Sequence, residues 1–136
     1  MPWFWHYAGH GERTDEIVRE VFDRFYREAP DGLSGNDDCG QMSAWYVFAA
    51  LGFYPFDPAS GEYLINAPQV SNAVLNLPNG KVFAIRVLRR SSAAKYVGIV
   101  RLNGKILDGF VLRHADIMAG GEIAFEMVEK AKGYNR

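Results

Sequence analysis

The chain has a single cysteine, Cys39, among its 136 residues. That excludes an internal disulfide and leaves the chain one ligand short of a minimal cysteine pair for zinc. The longest nearly apolar run, Ala44 to Phe53, is about half of the roughly 20 residues that a bilayer crossing requires. No basic start leads into an apolar stretch with a small-residue cleavage site, so neither a membrane span nor a signal peptide is read here. Excess charge of one sign is lacking too, with 15 Lys and Arg against 16 Asp and Glu for a formal charge of −1. Such a chain has no global field to draw it onto nucleic acid or an anionic membrane. Internal repeats and low-complexity tracts are absent. What remains is 49% hydrophobic and 23% charged, the balance of one ordinary globular domain or two very small ones.

The hydrophobic period changes near the middle of the chain. Thr14 reads as an N-cap with Asp15 and Glu16 suited to the helix dipole, and Ile17, Val18, Val21, Phe22, Phe25 and Tyr26 recur at helical spacing as far as Ala29. Pro30-Asp31-Gly32 stops that helix. A second is expected from Met42 to Leu51, rich in alanine and ended by Gly52, with no polar face beyond Ser43. Beyond Pro55 the period becomes two. Phe83, Ile85 and Val87, and Ile123, Phe125 and Met127, alternate with other residues as strands with one buried face do. Tyr63–Ile65, Ala73–Leu77, Tyr96–Leu102 and Phe110–Arg113 bring the total to about six short strands, separated by turn signals at Pro78-Asn79-Gly80, Asn103-Gly104 and Gly120-Gly121. The expected class is therefore α+β, helices first and then an antiparallel sandwich. A helix apolar on all sides must be covered on all sides, and one amphipathic helix does not suffice. The aromatic start Pro2-Trp3-Phe4-Trp5-His6-Tyr7 makes the same demand, so the chain is expected to be part of a longer protein or to need a partner.

Chemistry concentrates in Gly35-Asn36-Asp37-Asp38-Cys39-Gly40-Gln41, short polar side chains between glycines at the mouth of the second helix. A carboxylate fixed there could serve as a general base that activates water. Asn and Asp before a helix are also preferred caps, and capping alone accounts for such a cluster. Asp37 and Asp38 are too few for a calcium site, which takes six to eight oxygens. His6 and His10 have the spacing of zinc ligands on a helix, but Gly9 and Gly11 argue against a helix there. Cys39 has no evident base and reads as a small packing residue. Trp3, Trp5, Trp45 and Tyr46 read as core ahead of sugar stacking. Arg86, Arg89, Arg90 and Lys95 form a local basic cluster, most simply a solvated edge or loop.

Read as a string, Gly35-Asn36-Asp37-Asp38-Cys39-Gly40-Gln41-Met42-Ser43-Ala44-Trp45-Tyr46-Val47-Phe48, followed by Leu51-Gly52-Phe53-Tyr54-Pro55, resembles the C-terminal signature of the glycoside hydrolase family 92 α-mannosidases. Pro2 to Gly9 resembles the family's Pro-aromatic segment. Leu77–Lys81, Leu102–Lys105 and His114–Gly121 resemble its closing β-region. The resemblance implies that residues 1–55 are the terminal helices of a catalytic (α/α)6 barrel and residues 56–136 a C-terminal β-sandwich-like region. The chain would then be a fragment whose upstream barrel and N-terminal domain are missing. It further implies a calcium-dependent, inverting exo-α-mannosidase that takes mannose-containing glycans, with most calcium ligands outside this chain, and a periplasmic or secreted, typically bacterial, parent.

An inverting glycosidase sets an acid and a base about 6.5–9.5 Å apart, with water between. By resemblance the base is Asp38, and Asn36 stands where the family often has aspartate, so Asn36 can orient water or sugar without carrying charge. Asp37 matches a position where an acid is common. The family's general acid lies upstream of the Pro-aromatic segment, and none of Glu12, Glu16 and Glu28 matches it. The isolated chain is therefore expected to be inactive or nearly so. The alternative is a non-catalytic carbohydrate-binding or scaffold β-module.

Overall fold

The structure, a computed structural model, describes residues 1–132. Helices come first: α1 over Phe4–Tyr7, α2 over Gly11–Phe25 and α3 over Gln41–Leu51. Helix α2 begins and ends earlier than the Thr14 to Ala29 expected. Thr14 lies inside it, fully buried, and its hydroxyl donates to the Pro2 carbonyl at 3.0 Å. Packing of the aromatic start against this face extends the helix by nearly a turn past the apparent cap. At the other end Tyr26 turns to extended backbone and bridges to Leu33, which ends α2 before the proline does. Helix α3 matches its expected span within one residue, and Gly52 caps it at φ 98°, a left-handed conformation that favours glycine.

Eight strands and one further short helix follow: β1 Phe53–Asp57, β2 Glu62–Ile65, β3 Asn72–Asn76, β4 Val82–Leu88, β5 Tyr96–Leu102, β6 Lys105–Ile106, β7 Val111–Arg113, α4 His114–Met118 and β8 Gly121–Val128. The six expected strands are all present, and β1 and β6 are additions. Strand β6 has only two residues, too few to show a period. It is closed onto β5 by Asn103 and Gly104, both at positive φ, as a tight hairpin turn of the Asn-Gly kind requires.

The strands form a three-stranded antiparallel sheet, β1-β2-β7, and a five-stranded sheet, β3-β4-β8-β5-β6. One pairing departs from the antiparallel expectation: β4 and β8 run parallel. Alternation marks a strand without giving its direction, and the segment between Leu88 and Gly121 is long enough for the crossover that parallel neighbours need.

The smaller sheet is buried on both faces. Phe53, Ile65 and Leu112 join Phe83, Ile85, Val97, Val100, Ile123 and Phe125 of the larger sheet in one core. Leu64, with Tyr54, Phe56 and Val111 packed beside it, joins Trp3, Val18, Phe22 and Ala49 in a second core under the helices. Adjacent residues of one strand point to opposite faces, so Leu64 and Ile65 serve different cores. Burial on both faces also leaves β1 without a sequence signature, since Phe53-Tyr54-Pro55-Phe56 shows no alternation.

An aspartate in the second turn of α2 ties these layers together. Asp15, expected in the first turn with its charge on the helix dipole, instead lies further in, is buried, and accepts from the Ala67 amide at 2.7 Å and the Val97 amide at 3.1 Å. Helix α3 keeps an uncovered side, with Val47 55% and Tyr46 43% exposed. At the chain start Trp3 and His6 are buried, whereas Phe4 and Tyr7 stay exposed.

Candidate active site

The loop from Gly35 to Gly40 carries three consecutive residues at positive φ: Asp38 at 39°, Cys39 at 61° and Gly40 at 85°. Two of them bear a Cβ, and left-handed backbone costs an ordinary residue roughly 1–2 kcal/mol, with aspartate among the more tolerant types. Something must hold the tract in place. Gly40, the N-cap of α3, has no side chain with which to satisfy the first amides of the helix. Asp37 performs that task from three residues upstream. The Ser43 amide donates to its Oδ1 at 2.9 Å and the Ser43 hydroxyl to its Oδ2 at 2.8 Å, while the Gln41 amide donates to the Asp37 carbonyl at 2.8 Å. Hydrogen bonds from the Ser43 amide and then the Ser43 hydroxyl hold the Asp37 carboxyl below its usual range.

The two neighbouring aspartates are therefore in different states. Asp37 is half-buried and committed to the helix terminus, whereas Asp38 is exposed, and among the described residues no hydrogen bond or ion pair engages its carboxylate. Asn36 and Cys39 are exposed beside it. Cys39 is thus not the small packing residue expected, because the left-handed backbone turns it outward with its neighbour.

Below the loop, the Tyr26 hydroxyl donates to the Met42 carbonyl at 2.9 Å. The Tyr26 ring stacks on Trp45 at 5.6 Å with 7° between planes. Its phenol is pushed up by burial and next by the Asp37 charge. An open groove of about 630 Å³ runs past Tyr26, Ser43, Tyr46, Val47 and Leu33 to Gln69, and Asp38 is not among its lining residues.

The remaining candidates lie apart from this loop. His6 is buried, its Nε2 at 2.6 Å from the Ile65 carbonyl and its ring stacked on Phe110 at 4.6 Å. His10 is exposed against Glu12 at 3.1 Å. The zinc pairing weighed for these histidines is not formed. Among the described residues no three His, Cys, Asp or Glu side chains come together as they would around a metal ion. Trp3 stacks on Tyr54 at 4.4 Å and meets Trp45 edge-on at 6.0 Å, as core residues do, whereas Trp5 and Tyr46, expected in the core with them, are exposed. Of the basic cluster, Arg86 pairs with Glu122 and Arg89 donates to the Pro68 carbonyl. Of the upstream glutamates, Glu12 meets His10, and Glu16 accepts from Arg13 at 2.8 Å and from Tyr96 at 3.0 Å. The Arg13 hydrogen bond dominates in holding Glu16 below its ordinary value, the wrong direction for a group that must carry a proton to a leaving group.

Sequence reading missed three residues of this construction. Ser43 carried a signal, as a hydroxyl in the first turn of a helix that opens on glycine. Tyr26 and Asp15 carried none, because their partners lie 16 and up to 82 residues away.

Residues 1–129 match the glycosyl hydrolase family 92 catalytic domain. An uncharacterized secreted glycosidase of Arthroderma benhamiae is 29% identical over 122 residues, 88% of this chain and 16% of that protein. The family GH92 α-mannosidase BT3965 from Bacteroides thetaiotaomicron superposes with a TM-score of 0.89 at 37% identity, over 96% of this chain and 18% of its own. The family GH92 inverting mannosidase BT2199 from Bacteroides thetaiotaomicron VPI-5482 does so with a TM-score of 0.85 at 34% identity, over 95% and 18%. The chain therefore spans less than a fifth of the length of these relatives.

Proposed function

Because this chain belongs to glycosyl hydrolase family 92, we propose that it is the C-terminal part of an inverting exo-α-mannosidase, in which Asp38 is the general base. Residues 1–55 would close an (α/α)6 barrel, and residues 56–136 would form a β-sandwich-like region behind it. The side of α3 that shows Tyr46 and Val47 would then meet barrel helices from outside this chain. The substrate is the terminal mannose of an α-mannoside, and the parent is secreted or periplasmic.

The observation that carries the residue assignment is the division of labour between neighbours. Asp37 spends both carboxylate oxygens on Ser43, while Asp38 is turned outward with both of its own available to a water molecule. A base must reach the proton that it removes, and of the two only Asp38 is disengaged. In the reaction Asp38 takes a proton from water as that water attacks the anomeric carbon from the face opposite the leaving oxygen, and an acid supplied from outside this chain protonates that oxygen. Asn36, beside Asp38, offers an amide to orient the water or a sugar hydroxyl. The calcium that the family resemblance implies would take most of its ligands from outside this chain; among the described residues no three His, Cys, Asp or Glu side chains stand together to hold it.

The test is Asp38→Asn against Asp37→Asn in the full-length enzyme, with mannose release followed with and without EDTA and the anomer identified by NMR. Loss of a general base lowers turnover by about 10²–10⁴-fold. Asp37→Asn keeps an acceptor for the Ser43 amide, so about tenfold or less is expected there. Equal losses would undo the assignment, and a fully active Asp38→Asn would return the chain to the reading of a non-catalytic module.

A further inference from the structure

The left-handed tract at Asp38 and Cys39 is strained, and it persists only because the backbone on either side of it is held. On one side the hold is Asp37 on Ser43. On the other it comes from a different helix: Tyr26, at the end of α2, donates its hydroxyl to the Met42 carbonyl within the first turn of α3. A backbone carbonyl has two lone pairs, so Met42 can accept from Tyr26 and still serve the helix. The Tyr26 ring is clamped in turn, parallel to Trp45 and 5.0 Å from Tyr46. Its backbone is fixed by the bridge to Leu33, and the Arg27 amide donates to the Gly32 carbonyl at 2.9 Å. The phenol is thus a rigid strut from α2 to the turn on which Asp38 is mounted.

We propose that Tyr26 is a positioning residue for the reaction, holding the first turn of α3 so that Asp38 stays in its outward, left-handed pose. The inference rests on Asp38 as the base and adds the part that aims it. Tyr26 acts on Asp38 through the Met42 carbonyl and the turn that carries Ser43. Without its hydroxyl the turn is free to fray, Asp38 relaxes toward ordinary backbone angles, and the fraction of molecules with the base correctly placed falls. Misplacement of a catalytic group by about 1 Å can cost up to 10²-fold in rate. Loss of one of several ties is expected to cost about five- to twentyfold.

The experiment compares Tyr26→Phe, which keeps the stacked ring and removes only the hydroxyl, with wild type and Asp38→Asn in the full-length enzyme, well below the melting temperatures of all three. The expected result is kcat lowered about five- to twentyfold with KM within about twofold. The acidic limb of the pH profile should stay where it is, because the base is the same group. A purely structural tyrosine would lower the melting temperature and leave kcat at the wild-type value. That result, with Asp38→Asn inactive, overturns the inference and leaves the base standing. A fully active Asp38→Asn overturns both. Should Tyr26→Phe not yield folded protein, Ser43→Ala weakens the opposite hold by removing its hydroxyl bond to Asp37 while the amide bond stays, with a smaller loss of kcat at unchanged KM expected and rescue by Ser43→Thr; an unchanged kcat in Ser43→Ala then overturns the inference that the first turn of α3 aims Asp38.

Discussion

Asp15→Asn changes one atom's chemistry at the junction between the helices and the sheets. The Asp15 carboxylate accepts from two backbone amides, those of Ala67 and Val97, each belonging to a residue only 2% exposed. An asparagine has one acceptor oxygen, so it can satisfy one amide, and its NH2 must then face the other, donor against donor. The retained bond loses its charge assistance, roughly 1 kcal/mol, and the abandoned amide is left buried without an acceptor, roughly 1–3 kcal/mol. The sum is a loss of about 2–4 kcal/mol, a large part of the 5–15 kcal/mol typical of a domain. Urea unfolding of the 136-residue chain, wild type against variant, measures the total, with an unchanged slope confirming that stability alone has moved. Amide exchange locates it, since the Ala67 or Val97 amide should lose protection beyond the global change. A loss below about 1 kcal/mol, or equal exchange at both amides, would refute the claim that this carboxylate joins the layers.

Acid should weaken the fold through His6. Burial lowers its pKa to about 4, so between about 6.5 and 4 the unfolded chain binds a proton that the folded chain refuses. Stability therefore falls as pH falls through that window, by about 3 kcal/mol at its lower end. His6→Gln should flatten the curve of stability against pH there, and an identical slope in the variant would exclude His6 as the cause. Gly52→Ala should cost about 2–4 kcal/mol, because Gly52 is left-handed at φ 98° and an added methyl would stand 3.0 Å from both Phe125 and Pro68. A melting temperature equal to wild type would contradict that packing.

Much of the architecture was legible from periodicity. The apolar, alanine-rich run to Gly52 gave α3, and alternation at Phe83–Val87 and Ile123–Met127 gave β4 and β8, because a half-buried strand must alternate. Pairing was not legible. That β8 lies between β4 and β5, parallel to one and antiparallel to the other, is decided by how the strands meet across long stretches of chain. Nor was β1, since a strand buried on both faces loses the alternation that announces it. The early boundaries of α2 have the same origin: Thr14 looked like a cap because its partner, the Pro2 carbonyl, belongs to a segment that folds back over it.

At the candidate site the limit falls between residue type and residue state. The string from Gly35 to Gln41 placed two aspartates and an asparagine before a helix, and that local chemistry allowed a cap or a base at either aspartate. Which of the two is engaged follows from backbone angles and from Ser43, six residues beyond Asp37. Tyr26 reaches the loop only because α2 ends beside the start of α3. Local order along the chain thus settled where helices, strands and polar loops would form, since short-range sterics and alternating burial act between near neighbours. The task of each polar side chain was left to packing, because a hydrogen bond forms with whatever the fold brings within about 3 Å, however distant in sequence.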